Sequence, residues 1–188
     1  MLGGRLQPFA KLTIVLAVAM LASGCASRSA NMATGPTVSK ELAKNTAFTQ
    51  NMRIAKVSGG KKTNPLWISQ VSNSAFEEAL LTSLEANDLS AKPSHDPRFE
   101  IYATLSELDQ PLIGFSLTVK STVNYEVIDS NTRKPWFNEE IQASYTAPAF
   151  SAFIYNERIR LANEGAIKEN IRTFIEKLFL MASRTASK

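Results

Sequence analysis

The chain has 188 residues, a formal charge of +4, 44% apolar residues, one cysteine and one histidine. One His and one Cys fall short of an ordinary zinc-ligand set. The Lys and Arg residues are spread along the chain among the acids, without the concentrated basic face of a nucleic-acid binder.

Arg5 and Lys11 form a short basic leader, and the 11 residues Leu12 to Ala22 are apolar apart from Thr13. That is about half of the roughly 20 residues needed to cross a bilayer as a helix. Ser23 and Gly24 then lead to Cys25. A basic leader, a short apolar run and a small-residue exit describe a secretory signal over residues 1–24 rather than a membrane span. Leu21-Ala22-Ser23-Gly24-Cys25 resembles a bacterial lipobox, with Ala22 where leucine is commoner. The resemblance implies cleavage between Gly24 and Cys25, thioether lipidation of Cys25 and acylation of its new amine. A lone thiol in an exported protein has no disulfide partner, which fits modification. Ala26 follows Cys25 in place of the Asp that retains many such proteins in the inner membrane. By that family rule the protein is expected on the periplasmic face of the outer membrane, held by its lipid.

Residues 25–50 are rich in Ala, Ser, Thr and Asn and carry Gly35-Pro36. They read as a lipidated, flexible tether, leaving 51–188 as a single domain. Met52 to Val57 alternates as a first strand and ends at Gly59-Gly60. The next loop carries Lys61, Lys62 and Trp67. It suits anionic headgroups or an acidic partner, although a solvated loop with a buried Trp is the simpler reading. Ser72, Asn73 or Ser74 can cap a helix, Ser74 and Glu77 having capping-box spacing. Phe76, Ala79, Leu80 and Leu84 share its apolar face, and Asn87-Asp88 ends it.

Three strands follow: Arg98 to Leu108, Phe115 to Ile128, and a third around Phe137 to Tyr145. The middle one alternates most clearly, with Phe115, Leu117, Val119, Val123, Tyr125 and Val127 on one side. Short connections make these an antiparallel meander with one wetted face. Asn156 to Ser183 reads as a long helix whose stripe includes Ile159, Ala166, Ile171, Phe174 and Leu178. Gly165 inside it costs up to about 1 kcal/mol relative to Ala, which a close approach to the sheet would explain. The expected fold is α+β: an antiparallel sheet of about four strands (β-α-β-β-β-α) with two helices on one face.

Chemistry-bearing patterns are sparse. Ser94-His95-Asp96 names triad members, but neighbours in sequence cannot converge as a triad. Glu139 and Glu140 point to opposite faces of a strand. Glu107 and Asp109 can share a side near a strand end, read most simply as a solvated edge. Gly59-Gly60-Lys61-Lys62 lacks the spacing of a phosphate-binding loop. No catalytic residues, metal ligands or cofactor are expected. The stretch 145–155 places Tyr145, Phe150, Phe153 and Tyr155 in a helix lead-in. Read most simply, these wrap over the end of the sheet as core. Exposed, Phe150, Phe153 and Tyr155 would form a partner-binding patch, with Trp67 a second candidate.

The lipobox, the helix around Phe76–Leu84, the meander and the closing helix around Arg160–Phe174 resemble small bacterial envelope lipoproteins of the YajG, CsgG-N and LpoB kind. The resemblance implies non-enzymatic work beside an envelope protein partner, as an accessory in outer-membrane assembly, transport or maintenance. The alternative is an envelope enzyme or small-ligand carrier with a pocket between helix and sheet, for which His95 or Glu107 would be the polar groups.

Overall fold

The computed structural model describes residues 27–39, 41, 43, 46–61, 69–112 and 114–186. The expected signal segment 1–24, Cys25, Lys62 and Trp67 lie outside the described residues. The elements are α1 (Ser29–Met32), β1 (Met52–Ser58), α2 (Asn73–Ala86), β2 (Phe99–Asp109), β3 (Leu117–Asp129), β4 (Pro135–Ala147) and α3 (Tyr155–Ala186). The fold is α+β, with one four-stranded sheet in the order β1-β2-β3-β4.

The meander β2-β3-β4 is antiparallel, in register from Phe99↔Asp129 and from Leu117↔Ala147. The first strand differs from expectation. It joins β2 in parallel, Met52 beside Phe99, so the sheet is mixed. A parallel neighbour needs a crossover long enough to return the chain to the same end of the sheet, and α2 supplies it. At the exit of β1, Gly59 has φ +84° and a Cβ there would lie 2.0 Å from the carbonyl oxygen of Leu105. Only glycine combines that dihedral with so close an approach.

α2 is capped by Ser72, whose Oγ accepts the Ala75 N–H at 3.2 Å. Asp88, not Asn87, takes the left-handed conformation after it, at φ 56°. Phe76, Leu80 and Leu84 of α2 and Ile171, Phe174, Ile175 and Leu178 of α3 are buried in one core with Phe99, Ile101, Val123, Tyr125 and Val127 of the sheet. Tyr125 and Phe174 stack at 4.1 Å between centroids and 5° between planes. The opposite face, with Thr104, Thr118, Lys120, Asn124 and Gln142, is exposed. The period-2 alternation therefore has its ordinary cause, one apolar face and one wet one.

The segment expected to be a flexible tether is, from Ser27, packed against the helices. Met32 and Phe48 are fully buried. The Thr34 N–H donates to Ser83 Oγ at 2.9 Å. Thr37 donates through its N–H and Oγ1 to Asn87 Oδ1 at 2.8 and 2.9 Å. Phe48 meets Phe99 and Trp136 edge to face. Residues 27–39 thus run from the first half of α3 to the end of α2. A sparse apolar pattern hid this, because two anchoring side chains suffice when polar neighbours bond to helix side chains.

Candidate functional site

Two loops meet at the end of the sheet where α3 begins. One joins β2 to β3 and the other, 148–154, joins β4 to α3. The first turn of α3 ties them together. Arg158 Nη1 donates to the Phe115 carbonyl at 2.7 Å and to the Ala149 carbonyl at 3.2 Å. Tyr155 donates its hydroxyl to the Pro111 carbonyl. Ser151 donates through its N–H and Oγ to the Pro148 carbonyl at 3.1 and 2.8 Å. Satisfied backbone groups hold the loops in place and turn large apolar side chains outward.

Phe150 is 94% exposed, Phe153 is 107% exposed and Phe115 is 86% exposed. Leu112, next to the Pro111 that Tyr155 holds, and Ile154, next to Phe153, are exposed as well. Phe150 and Phe153 do not close the sheet as core; they stand in solvent, on the second of the two readings. Tyr155, expected to share the patch, is half-buried and serves to hold the loops. Phe115, expected on the core side of β3, precedes that strand and belongs to the patch. A hollow of about 570 Å³ lies among Phe115, Phe150, Phe153 and Arg158. Three exposed phenylalanines present on the order of 500 Å², at the upper end of what a monomer leaves uncovered without a use for it.

Beside this end lies the segment that follows Cys25. Glu164, buried in the third turn of α3, accepts the Arg28 N–H at 2.7 Å and Asn31 Nδ2 at 2.8 Å. Arg160, also buried, donates to both Glu164 and Glu157. The Arg160 guanidinium, together with the more distant charge of Arg28, holds the Glu157 carboxyl below its ordinary value, against the opposing effect of its partial burial. A buried carboxylate is costly unless paired and hydrogen-bonded. The Arg160 charge and two donors from residues 28–31 meet that need for Glu164.

The remaining sequence candidates do not assemble into a catalytic group. His95 is exposed in a turn. Glu107 and Asp109 do share a side, lining a hollow of about 490 Å³ with Lys120, Thr122 and Gln142. That hollow lies on the outer face of the sheet, away from the helices. Among the described residues no three His, Cys, Asp or Glu side chains are grouped to hold a metal ion, and no helix is long and apolar enough to cross a membrane.

The shape itself is shared. Protein XCC0632 of Xanthomonas campestris, a DUF330 protein, superposes with a TM-score of 0.58 at 10% identity, over 87% of this chain and 98% of its own. A provisionally described lipoprotein of Caulobacter crescentus gives 0.48 at 12% identity, over 78% and 96%. The minor lipoprotein of Acinetobacter baumannii gives 0.38 at 12% identity, over 73% and 93%. No family model matches the sequence, and none of the curated proteins does. At such identities the likeness to XCC0632 establishes the fold alone. It does not carry the narrower resemblance to the YajG, CsgG-N and LpoB kind.

Sequence reasoning missed Leu112, Ile154 and the burial of the Glu164–Arg160 pair. The aromatic run 150–155 was a usable signal for the patch. Glu164 gave none, because Glu157-Arg158-Ile159-Arg160 with Glu164 reads as the wet face of a helix.

Proposed function

We propose that this is a bacterial cell-envelope lipoprotein, anchored by lipid on Cys25. On this reading it works without catalysis, as an accessory module on the periplasmic face of the outer membrane, and its aromatic end is its contact surface. The observation that carries the reading is the placement of residues 28–31. They are fastened to α3 by Glu164, in a groove that Pro148 and Ser151 of the loop carrying exposed Phe150 and Phe153 also line. An anchor at Cys25 would therefore present this end of the domain in a fixed attitude. The lipobox over Leu21–Cys25 supports the anchor, and Ala26 supports the outer-membrane address. A role in assembly, transport or maintenance beside an envelope protein partner follows from the resemblance already described.

The test is metabolic labelling with a palmitate analogue, followed by density separation of the two membranes. Labelled chain in the outer-membrane fraction, abolished by Cys25→Ser, is the expected result. An unlabelled chain retaining residues 1–24 in the cytosol overturns the reading.

A further inference from the structure

We infer that the aromatic end formed by Leu112, Phe115, Phe150, Phe153 and Ile154 seats in the headgroup–acyl boundary of the lipid leaflet that holds the anchor. This rests on the lipid-anchor reading of Cys25 and names the partner of its contact surface as a phospholipid leaflet.

Chain length limits how far the domain can stand from its anchor. Cys25 and Ser27 are two residues apart, which spans at most about 7 Å. Ser27 is already buried, and the Arg28 N–H and the Asn31 side chain are bonded to Glu164. No slack therefore remains for the domain to stand away from its anchor.

Thr37 bonds to Asn87 and Thr34 to Ser83 near the end of α2, whereas Asn31 and Arg28 bond to Glu164 in the third turn of α3, in a groove that Pro148 and Ser151 of the β4–α3 loop also line. Traced back from Thr37 to Arg28, the chain heads to the end of the sheet where α3 starts. Phe153 and Ile154 immediately precede that start, and Arg158 holds Phe115 and the loop of Phe150 to it. Acyl chains leaving Cys25 enter the bilayer next to the patch. An exposed aromatic and aliphatic surface at that distance meets the boundary region, where such side chains are stable.

Chemistry agrees with geometry. The five patch residues carry no charge, and the carboxylates Glu157 and Glu164 at the start of α3 pair with Arg160 and are balanced by the second cation Arg158, which lines the hollow. The far end of the sheet differs: the β3–β4 turn displays Asn131, Thr132, Arg133 and Lys134. It stands about 40 Å away along the 13 residues of β3.

The experiment uses the full lipidated protein in vesicles of phosphatidylethanolamine and phosphatidylglycerol. Once Cys25 is a thioether, Phe153→Cys supplies a single free thiol for an environment-sensitive fluorophore. Asn131→Cys reports the far end. The expected result is blue-shifted emission at 153, quenched several-fold more by a nitroxide at acyl carbon 5 than at 131, and protected from aqueous iodide. Equal aqueous quenching at both positions, with a lipidated Cys25 peptide in the mass spectrum, overturns the seat while leaving the anchor intact. Protection from iodide without quenching by the lipid nitroxide also overturns it, and assigns the patch to a second copy. An unlipidated Cys25 peptide removes the anchor and the seat together.

Discussion

Gly165 shows how one missing carbon sets a helix-to-sheet distance. A Cβ there would lie 2.2 Å from Cδ1 and 2.3 Å from Cγ of Tyr145. Those atoms are the root of the ring, so turning its tip gives no relief. Alanine is intrinsically the better helix former by about 1 kcal/mol, but overpacking typically costs about 1–3 kcal/mol. The clash should win. Gly165→Ala is expected to lower the urea midpoint, and Gly165→Ala with Tyr145→Ala should recover part of the loss. A strictly additive pair would refute the close-approach account. Glu164 poses the complementary case. Glu164→Ala leaves the buried Arg160 with only the part-exposed Glu157 and frees two donors at residues 28 and 31. Removing one member of a buried pair costs about 3–5 kcal/mol. The same change should accelerate amide exchange at Arg28 while leaving α2 protected. The need for a glycine at 165 was legible from its place in an apolar stripe. The burial of Glu164 was not, because i,i+4 charge spacing looks the same on a wet face and a covered one.

Among the elements, β3 and α3 were the most readable, since each has one unbroken period over many residues. β1 was readable as a strand but not in its direction. Local alternation says nothing about a neighbour's polarity; the intervening helix does, because a β–α–β connection favours a parallel pair. Residues 27–39 were the least readable. Their composition suits a tether, yet Met32 is fully buried and the flanking polar groups bond to α2 and α3. The distinction is measurable. A substitution in a true tether should stay within about 0.5 kcal/mol, whereas emptying a closed methionine site costs about 2–5 kcal/mol. Met32→Ala is expected to fall in the second range by urea denaturation. A change under 0.5 kcal/mol would return the segment to the tether class.

Across the whole molecule, the two ends of the sheet have opposite chemistry. One carries the aromatic patch. The other carries ion pairs: Glu100 is buried on β2 between Arg53 and Arg133. Asp129, at the end of β3, accepts the Asn131 and Thr132 N–H groups at 3.0 Å and Arg98 Nε at 2.7 Å. The Arg53 hydrogen bond holds the Glu100 carboxyl below its ordinary value, and the Thr132 N–H does so for Asp129, with Arg98 adding to it. Both therefore release protons more readily folded than unfolded, and the unfolded chain binds more protons in acid. Their contribution is complete above the ordinary carboxyl values, about 4, and is lost as pH falls through the lower folded values. Urea midpoints should hold steady from pH 7 to about 5 and then decline. Glu100→Gln with Asp129→Asn should lower the midpoint at pH 6, flatten the acid limb and meet the parent curve at the lowest pH. Parallel curves would mean that the acid response belongs to other carboxylates. Because Arg53, Arg98 and Arg133 are half-exposed, salt should weaken the effect at pH 6, leaving mainly the part of Asp129 held by backbone N–H groups.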